Sequence, residues 1–210
     1  MKNFLTMMML MITLTSVLIP QNTEAMNKKD LKELHEKHGD IYDLPVGDKI
    51  AYLRSPNMAD FKRSFTAMQK GGDVAFGEAM LDALFVGGDT EIKAIDDYFN
   101  PARRALVDFF NYDDPVVNTL ENGDAQIVIS NASCTIRKIT REDLRLAEKK
   151  NPSGKPFVTQ EKLFDLVCTK KDDAFNDRMN PTYRFPLYQA MEDLQYQKVA
   201  TLKKRSPMPS

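Results

Sequence analysis

Two glycine pairs, each followed by aspartate, have residue types and a spacing that could support chemistry. They stand at Gly71-Gly72-Asp73 and Gly87-Gly88-Asp89. Glycine lets a backbone approach a phosphate closely, and a neighbouring carboxylate can bind a metal ion. Helical periodicity flanks both copies, however, and neither has the wider glycine spacing or the lysine of a phosphate loop. We therefore predict that the glycines end one helix and that the aspartate caps the next.

Histidines and carboxylates offer two further candidates for chemistry. The segment His35-Glu36-Lys37-His38 is close to the zinc-protease pattern H-E-x-x-H, but its histidines are three rather than four residues apart. The carboxylates of Asp89, Glu91 and Asp96-Asp97 could form an acid–base pair, yet they also suit helix starts and solvated helix faces. No serine, cysteine or threonine has a recognisable nucleophile setting. We therefore predict no catalytic residue, no metal site and no cofactor, and we expect that the protein is not an enzyme.

The bulk composition is that of an ordinary globular protein. The chain has 210 residues, of which 42% are hydrophobic and 28% are charged, and its formal net charge is −1. This length suits one domain or two small ones, each able to bury a core. A dedicated nucleic-acid binder would carry a clear basic excess, so we expect no nucleic acid among the partners. Apart from the recurring Gly-Gly-Asp, we detect no internal repeat.

The first 25 residues have two interpretations. An apolar run spans residues 4–19, Pro20 breaks it, and Thr23-Glu24-Ala25 offers small residues where a signal peptidase would cut. The run is short for a membrane span, so we expect no stable span. On this interpretation the protein is exported. Alternatively, translation starts at Met26, and residues 1–25 are a mis-assigned upstream start.

The two cysteines, Cys134 and Cys168, also leave two possibilities open. In an exported protein they could form a disulfide, whereas in the cytosol they would be ordinary buried thiols. The chain contains no C-x-x-C motif, and both histidines lie far upstream of the cysteines, so nothing indicates thiol chemistry.

Periodicity and turn residues divide the chain into modules. Residues 26–121 are predicted to form a domain that contains a short hairpin around Gly47-Asp48 and a compact cluster of helices. Residues 122–202 are predicted as a second α+β module, and residues 203–210 as a disordered tail. Between the two modules, the segment from Val116 to Leu120 is short and ambiguous. The predicted fold class is α+β: a short β-hairpin followed by a mainly helical cluster, with a second small α+β module.

An ordered set of motifs occupies residues 41–111, about a third of the chain. In chain order the motifs are Tyr52-Leu53-Arg54, Pro56, Ala67-Met68, Leu84-Phe85-Val86, Gly87 to Lys93, and Asp96-Asp97-Tyr98-Phe99. They correspond to a strand, a helix, a hydrophobic helix closed by Gly-Gly-Asp-x-Glu-Ile-Lys, and an acidic segment with an aromatic before a last helix. In this order and spacing the stretch resembles the small tail assembly chaperones of certain tailed bacteriophages.

The resemblance implies a non-enzymatic function in virion assembly. Proteins of this family are thought to coat the tape-measure protein in the host cytoplasm and to hand it over as the tail tube polymerises. The implied partners are therefore the tape-measure protein and the tail tube proteins. Such a function needs an apolar groove between helices, in which amphipathic segments can dock. The groove candidates, which are adaptable methionines and phenylalanines, are Met58, Phe65, Met68, Phe76, Met80, Phe85 and Phe99.

A second function remains open beside this one. The chain could be an exported bacterial or phage-encoded binding protein, periplasmic or secreted, with a disulfide between Cys134 and Cys168. The second module has no counterpart in the chaperone family, and an export signal would be foreign to it. The groove candidates could equally belong to the core, and a homo-oligomer is compatible with either function.

Overall fold

The computed structural model describes residues 28–196. The interpretations of residues 1–25, of the start at Met26 and of the tail at residues 203–210 concern segments outside this range. The helices are α1 Lys28–His38, α2 Met58–Leu84, α3 Glu91–Ala94, α4 Asp96–Ala105, α5 Arg141–Lys149, α6 Val158–Val167 and α7 Pro181–Gln195. The strands are β1 Ile41–Val46, β2 Lys49–Arg54, β3 Phe85–Gly88, β4 Val116–Thr119, β5 Ala125–Ile129, β6 Ala132–Ile136 and β7 Cys168–Lys171. Two 3₁₀ turns span Leu106–Phe110 and Asp173–Asn176.

The strands form two antiparallel sheets, and the predicted α+β class is confirmed. The first sheet has the order β1-β2-β3 and the second the order β4-β5-β6-β7. In β5 and β6 every second residue is buried, which is the pattern of a strand with one face on the core. Ile127, Ile129 and Ile136 supply that buried face.

The two halves of the chain share one topology, which the sequence analysis did not detect. Residues 41–110, the first repeat, and residues 125–195, the second repeat, each run through a hairpin, a helical segment, a third strand, a short helical turn and a closing helix. From the hairpin to the third strand, equivalent residues differ by 83 in number. Few of them are identical, so the repeat is visible in contacts rather than in sequence.

The hairpins of the two repeats have the same turn and the same irregularity. Two-residue loops, Gly47-Asp48 and Ser130-Asn131, join their strands. The first residue of each loop has a positive φ, 62° at Gly47 and 50° at Ser130. The pairing with the third strand shifts register at Tyr52-Leu53 in β2 and at the equivalent Thr135-Ile136 in β6. The registers of both sheets therefore correspond residue by residue.

An ion pair joins the end of β2 to the start of α2 in the first repeat. Asn57 caps the helix by accepting hydrogen bonds from the N–H groups of Ala59 and Asp60, and Asp60 accepts one from the N–H of Asn57. The guanidinium of Arg54 donates two hydrogen bonds of 2.8 Å to the carboxylate of Asp60. This bidentate geometry fixes the angle at which the chain enters the helix.

The second repeat builds the same junction between β6 and α5. Thr140 caps the helix, Asp143 completes the capping box, and Arg137 donates two hydrogen bonds of 2.7 Å to the Asp143 carboxylate. Both aspartates are buried. Because cap, charge and geometry coincide, this junction is a defining feature of the repeat.

An aspartate closes the third strand onto the hairpin in each repeat. The backbone N–H of Asp89 donates to the carbonyl of Ile50, and the Asp89 carboxylate accepts from the N–H of Ile50 at 2.8 Å. In the second repeat Asp172 makes the same two bonds to Ser133, with a carboxylate distance of 2.7 Å. These aspartates therefore act as strand clamps.

The closing helix of each repeat is tied to its hairpin turn by a tyrosine. Tyr98 of α4 donates to the carboxylate of Asp48 at 2.9 Å, and Tyr183 of α7 donates to the side chain of Asn131 at 3.1 Å. Asp48 and Asn131 are the second residues of the equivalent loops. The repeat thus extends through the last helix, although these tyrosines differ by 85 in number.

Aromatic side chains form the seam between the repeats. Phe61 of α2 packs edge-to-face on Phe185 of α7, with ring centroids 4.8 Å apart, and on Phe110 at the same distance. Phe65 packs in the same way on Phe157, at 5.1 Å. Edge-to-face pairs add to the free energy gained by burying the rings. The first half of α2 is therefore covered by the second repeat.

Polar contacts fix the alignment of this seam. The ammonium of Lys62 lies 2.5 Å from the carboxylate of Glu161, and both side chains are largely buried. The N–H of Met58 donates to the carbonyl of Met179, which precedes α7. The helix start is thus hydrogen-bonded to the other repeat.

The second Gly-Gly-Asp triplet corrects our prediction of helix caps. Gly87 and Gly88 belong to β3, and Asp89 clamps that strand instead of capping a helix. Strand pairing with β2 overrides the apparent helix stop, because tertiary contacts outweigh local propensity. The first triplet does interrupt a helix: Gly72 has φ 70° and ψ −160° within α2 and produces a kink there. Asp73, next to the kink, is exposed.

Gly88 is the glycine with the strongest structural requirement. Its φ is 96°, and a Cβ at this position would lie 2.3 Å from the carbonyl oxygen of Ile50. We expect Gly88→Ala to lower the free energy of unfolding by about 2 kcal/mol, because strain and a backbone clash add. Urea unfolding followed by circular dichroism measures this change.

Gly154→Ala is the matched control, because Gly154 also has a positive φ, of 60°, but no atom outside its two neighbouring residues lies within 4 Å of its Cβ position. In this variant only the backbone strain of a positive φ remains, and it should lower the free energy of unfolding by about 1 kcal/mol. If both substitutions cost the same, the close approach of β3 to Ile50 is not what requires glycine at residue 88.

Candidate functional site

The predicted groove residues lie in or against the core. Met58, Met80, Phe65 and Phe99 are buried. Met68, Phe76 and Phe85 are half-buried and pack on the same core. A partner could reach the buried four only after the helices had moved apart. The function of these residues in partner binding stays a prediction. On the folded surface, a partner could contact at most the three half-buried side chains, those of Met68, Phe76 and Phe85.

The space that a partner helix would fill beside α2 is filled by the chain itself. Phe65 contacts Phe76 at 5.1 Å on one side and Phe157 at 5.1 Å on the other. Phe110 lies near Phe65 and Phe76, and Phe185 completes the cluster. The predicted groove therefore coincides with part of the seam between the repeats.

The most exposed apolar feature of the second sheet is its edge strand β4. All four of its residues, Val116 to Thr119, are exposed. The side chain of Val116 is 58% exposed, and those of Val117 and Leu120 are each 37% exposed. On its inner side β4 pairs with β5, so along its outer side alternate N–H and C=O groups point away from the sheet.

The sequence left the secondary structure of the segment from Val116 to Leu120 ambiguous, although it contains an indication of a strand. The strand is a short run of Val-Val-Asn-Thr without charge, between a turn at Asp113-Asp114-Pro115 and a turn at Asn122-Gly123-Asp124. Such a run has strand propensity but is too short for periodicity to be measured. The structure decides it, because Val116 to Thr119 pair residue by residue with β5.

Two of the other three sheet edges carry residues that discourage pairing with another chain. The outer strand β1 contains Pro45 and Asp43, and β7 contains Lys170 and Lys171. The third edge, β3, has neither proline nor charge, but its residues Phe85 to Gly87 are half-buried. Proline and charge are the usual protections of exposed edges. In β4 no residue is proline or charged. Within the described range, β4 therefore combines exposure, apolar side chains and an unprotected edge.

Acidic residues flank β4 at both ends. Asp113 and Asp114 precede the strand and are exposed, and Glu121 and Asp124 follow it. The carboxylate of Asp113 accepts a hydrogen bond of 2.5 Å from the hydroxyl of Ser130. These acidic residues attract a segment with basic flanks and repel the acidic flanks of a second copy of β4. The β4 edge therefore favours a basic segment as its partner.

An open cavity of about 550 Å³ adjoins the end of β4. Thr119, Ala125 and Ile136 contribute the sheet side, and Leu144 and Leu194 contribute apolar helix surface. The end of α7 also lines this cavity. In the first repeat the residue equivalent to Leu144 is Phe61, which is buried beneath the second repeat. The helix face that carries this position is therefore covered in the first repeat and open to the cavity in the second repeat.

Both cysteines are free thiols, so the structure contains no Cys134–Cys168 disulfide. Cys134 is buried in β6 and Cys168 is half-buried at the start of the neighbouring β7. Burial raises the pKa of the Cys134 thiol to about 12, and burial also raises that of Cys168. Thiols with raised pKa values are poor nucleophiles at neutral pH.

Metal ligation and membrane insertion add no site among residues 28–196. Across this range no group of three or more His, Cys, Asp or Glu side chains is placed to hold a metal ion. Within the same range, no helix is long and apolar enough to cross a membrane.

Comparisons with known proteins give no relative for this chain. No protein-family model, no curated protein and no solved structure matches it. The resemblance of residues 41–111 to tail assembly chaperones therefore depends on the sequence motifs alone. The β4 edge is a separate observation that bears on function.

Proposed function

We propose that this protein is a non-enzymatic assembly protein of the tail assembly chaperone type. It acts in the host cytoplasm and binds tape-measure or tail tube proteins while a phage tail forms. The motif order of the first repeat supports this class of function. The observation that carries the proposal is the unprotected β4 edge, with Val116 exposed in an uncharged strand.

The β4 edge binds its partner by strand addition. An extended segment of the partner pairs with the outward N–H and C=O groups of β4, as peptides do at other exposed sheet edges. Main-chain hydrogen bonds depend little on the partner's sequence, and Val116 and Val117 add apolar contact. A four-residue strand buries little surface, so the complex is weak and reversible. An assembly protein needs this property, because it must release what it holds.

Charge selects the partner segment. Asp113 and Asp114 at one end of β4 and Glu121 at the other favour a segment with lysine or arginine on both flanks. Association with such a segment is faster at low ionic strength, because salt screens exposed charges over a Debye length of about 10 Å at 0.1 M.

Val116→Lys tests this function. We expect the variant to bind the co-expressed tape-measure or tail tube protein about tenfold more weakly than the wild type, because a lysine on an edge strand opposes pairing with another strand. Co-purification followed by a titration in solution measures the loss. Its effect on unfolding is expected to be within about 0.5 kcal/mol, since Val116 is exposed.

Val107→Lys is the control, because Val107 is also an exposed valine, at 47%, but lies in a 3₁₀ turn and not in a strand. It should bind like the wild type. Equal binding by wild type and Val116→Lys would exclude the β4 edge, and a lack of binding by the wild type would exclude the function.

A further inference from the structure

We propose that copies of this protein associate head to tail, through a contact equivalent to the seam between its own two repeats. In this contact the second repeat of one copy binds the first repeat of the next. The inference goes beyond the proposed function, because it involves neither the β4 edge nor a partner protein. It is carried by two faces that the seam buries in one repeat and that are exposed in the other.

The seam joins two complementary sides, one from each repeat. The first repeat contributes the start of α2, where Phe61 and Phe65 are buried and Lys62 is half-buried. The second repeat contributes four side chains that pack on this helix start or on one another, and these are Phe157, Glu161, Phe185 and Tyr188. Glu161, Phe185 and Tyr188 are buried, and Phe157 is half-buried. The seam therefore shows what each side binds.

The second repeat carries an open equivalent of the α2 side. A shift of 83 residues from Phe61, Lys62 and Phe65 leads to the residues that we call the acceptor face, which are Leu144, Arg145 and Glu148 of α5. Leu144 is half-buried beside the open cavity, and Arg145 and Glu148 are exposed. The surface that the second repeat covers on α2 thus has no cover on α5 among residues 28–196.

The first repeat carries an open equivalent of the other side. The same shift within α2, and the shift of 85 within α4, lead to the residues that we call the donor face, which are Val74, Glu78, Asn100 and Arg103. Val74 is 47% exposed, and Glu78 and Asn100 are also exposed. Arg103 packs against Gly77 of α2, so α4 and α2 form one continuous surface here. Each copy thus has one acceptor face and one donor face.

The charges of the two faces are complementary. In the seam Lys62 pairs with Glu161, and the equivalent residues are Arg145 on the acceptor face and Glu78 on the donor face, with the same signs. Among residues 28–196 Glu78 has no ion pair, and Arg145 has a surface pair with Glu142 at 3.4 Å. Exposed pairs of this kind contribute little, so Arg145 can exchange Glu142 for Glu78.

A second pair of opposite charges lies beside the first. Glu148 of the acceptor face is the equivalent of Phe65, which contacts Phe157 in the seam. Arg103 of the donor face is the equivalent of Tyr188, whose ring stacks on that same Phe157. The contact between copies therefore brings Glu148 near Arg103, and both pairs favour the head-to-tail arrangement.

The contact between copies is weaker than the seam. Val74 replaces Phe157 and Asn100 replaces Phe185, so less apolar surface is buried and the charges contribute a larger share. We therefore expect association only at high protein concentration and low ionic strength. Because the two faces lie on different repeats, each added copy leaves one face open. The contact continues into a chain or closes into a ring.

Sedimentation velocity on the full chain tests this association. The sedimentation coefficient of the wild type should rise between micromolar and millimolar concentration at low ionic strength. Glu78→Arg and Arg145→Glu each bring like charges together in the contact, and each should weaken association by about tenfold or more. Both residues are exposed, so both variants should fold like the wild type, as circular dichroism can check. A wild type that stays monomeric at every concentration would overturn the proposal.

A mixture of the two variants tests the pairing itself. The Arg145→Glu protein retains Glu78, and the Glu78→Arg protein retains Arg145, so each provides the face that the other has lost. Their equimolar mixture should associate like the wild type, and so should the double variant that carries both substitutions. If neither recovers association, Glu78 and Arg145 do not meet and the proposed contact is wrong.

Two further variants identify the surface that joins the copies. Glu33→Arg makes the same charge change in α1, outside both repeats, and should associate like the wild type. Val116→Lys should also associate like the wild type, because the contact does not involve β4. Association that Val116→Lys abolishes and Glu78→Arg leaves intact would assign the contact to the β4 edge and refute the inference. Self-association without any partner binding would refute the proposed function but leave the head-to-tail contact intact.

Discussion

Phe61→Ala is expected to lower the free energy of unfolding by about 4 kcal/mol, the largest loss among the substitutions considered. Phe61 is fully buried, and its ring packs edge-to-face on Phe110 and Phe185 at 4.8 Å each. Removing a buried phenylalanine costs about 3–5 kcal/mol, since transfer free energy is lost and a cavity remains. Urea unfolding measures the loss.

The repeat supplies a matched control for this substitution. Leu144 occupies the equivalent position in the second repeat but is only half-buried, beside the open cavity. Leu144→Ala should cost about 1 kcal/mol, because less apolar surface is buried there. A double-mutant cycle of Phe61→Ala with Phe185→Ala should give a coupling of about 1 kcal/mol. Equal losses at residues 61 and 144, or no coupling, would contradict the seam as described.

Asp60→Asn is expected to cost about 3 kcal/mol at neutral pH. The Asp60 carboxylate is buried, accepts two hydrogen bonds from Arg54 and completes the cap of α2. Breaking a largely buried ion pair leaves the other charge without its partner. Asp82→Asn is the control, since Asp82 pairs with Lys93 on the surface, and it should change stability by at most about 0.5 kcal/mol.

The same carboxylate predicts a dependence on pH. Burial raises the pKa of Asp60, but hydrogen bonds from Arg54 and from the N–H of Asn57, with the charges of Arg54 and Arg63, outweigh it and hold the pKa below the ordinary 3.8. Because the folded pKa is lower than the unfolded one, the stabilisation is complete above pH 3.8 and is lost as the pH falls further.

Asp143 follows the same rule in the second repeat. Hydrogen bonds from Arg137 and Thr140 hold the pKa of its carboxyl well below the ordinary value. Acid unfolding of the wild type should therefore steepen below about pH 4, and both Asp60→Asn and Asp143→Asn should flatten that dependence. If the slopes of the variants equal that of the wild type, these carboxylates are not ionised in the folded protein as described.

The sequence predicted those parts of the fold that depend on local signals. The hairpin at Gly47-Asp48 has the turn residues that such loops require, and the predicted α+β class is confirmed. The capping box of Thr140 and Asp143 also depends on a local signal, because a threonine followed by an acid three residues later is typical of a helix start.

Long-range pairing decided the parts that the sequence did not predict. Gly87-Gly88 read as a helix stop because the preceding residues are helical, yet contact with β2 makes the pair a strand. The repeat escaped detection because its defining features are contacts between distant residues, such as that of Asp172 with Ser133. The two repeats share their backbone geometry but few identical residues, so the sequence shows no internal similarity from which a repeat could be predicted.

The groove candidates show the same limit. A stripe of phenylalanine and methionine on a helix suits a binding groove and a core equally well, and only the second repeat's Phe157 and Phe185 decide where Phe65 lies. The β4 edge was missed for the opposite reason. Its four residues are too few for a pattern, and their exposure becomes visible only when β5 is in place.

The shared register of the two repeats also creates a hazard while the chain folds. Each hairpin could accept the other repeat's third strand, and such an exchange would trap the chain in a misassembled form or link two molecules by swapping. Gly88 opposes one of these exchanges. β3 passes so close to β2 that a Cβ at this position would meet the carbonyl of Ile50 at 2.3 Å, so β7, with Lys171 at the equivalent position, fits poorly there. The close approach of β3 to β2 therefore disfavours β7 in the place of β3.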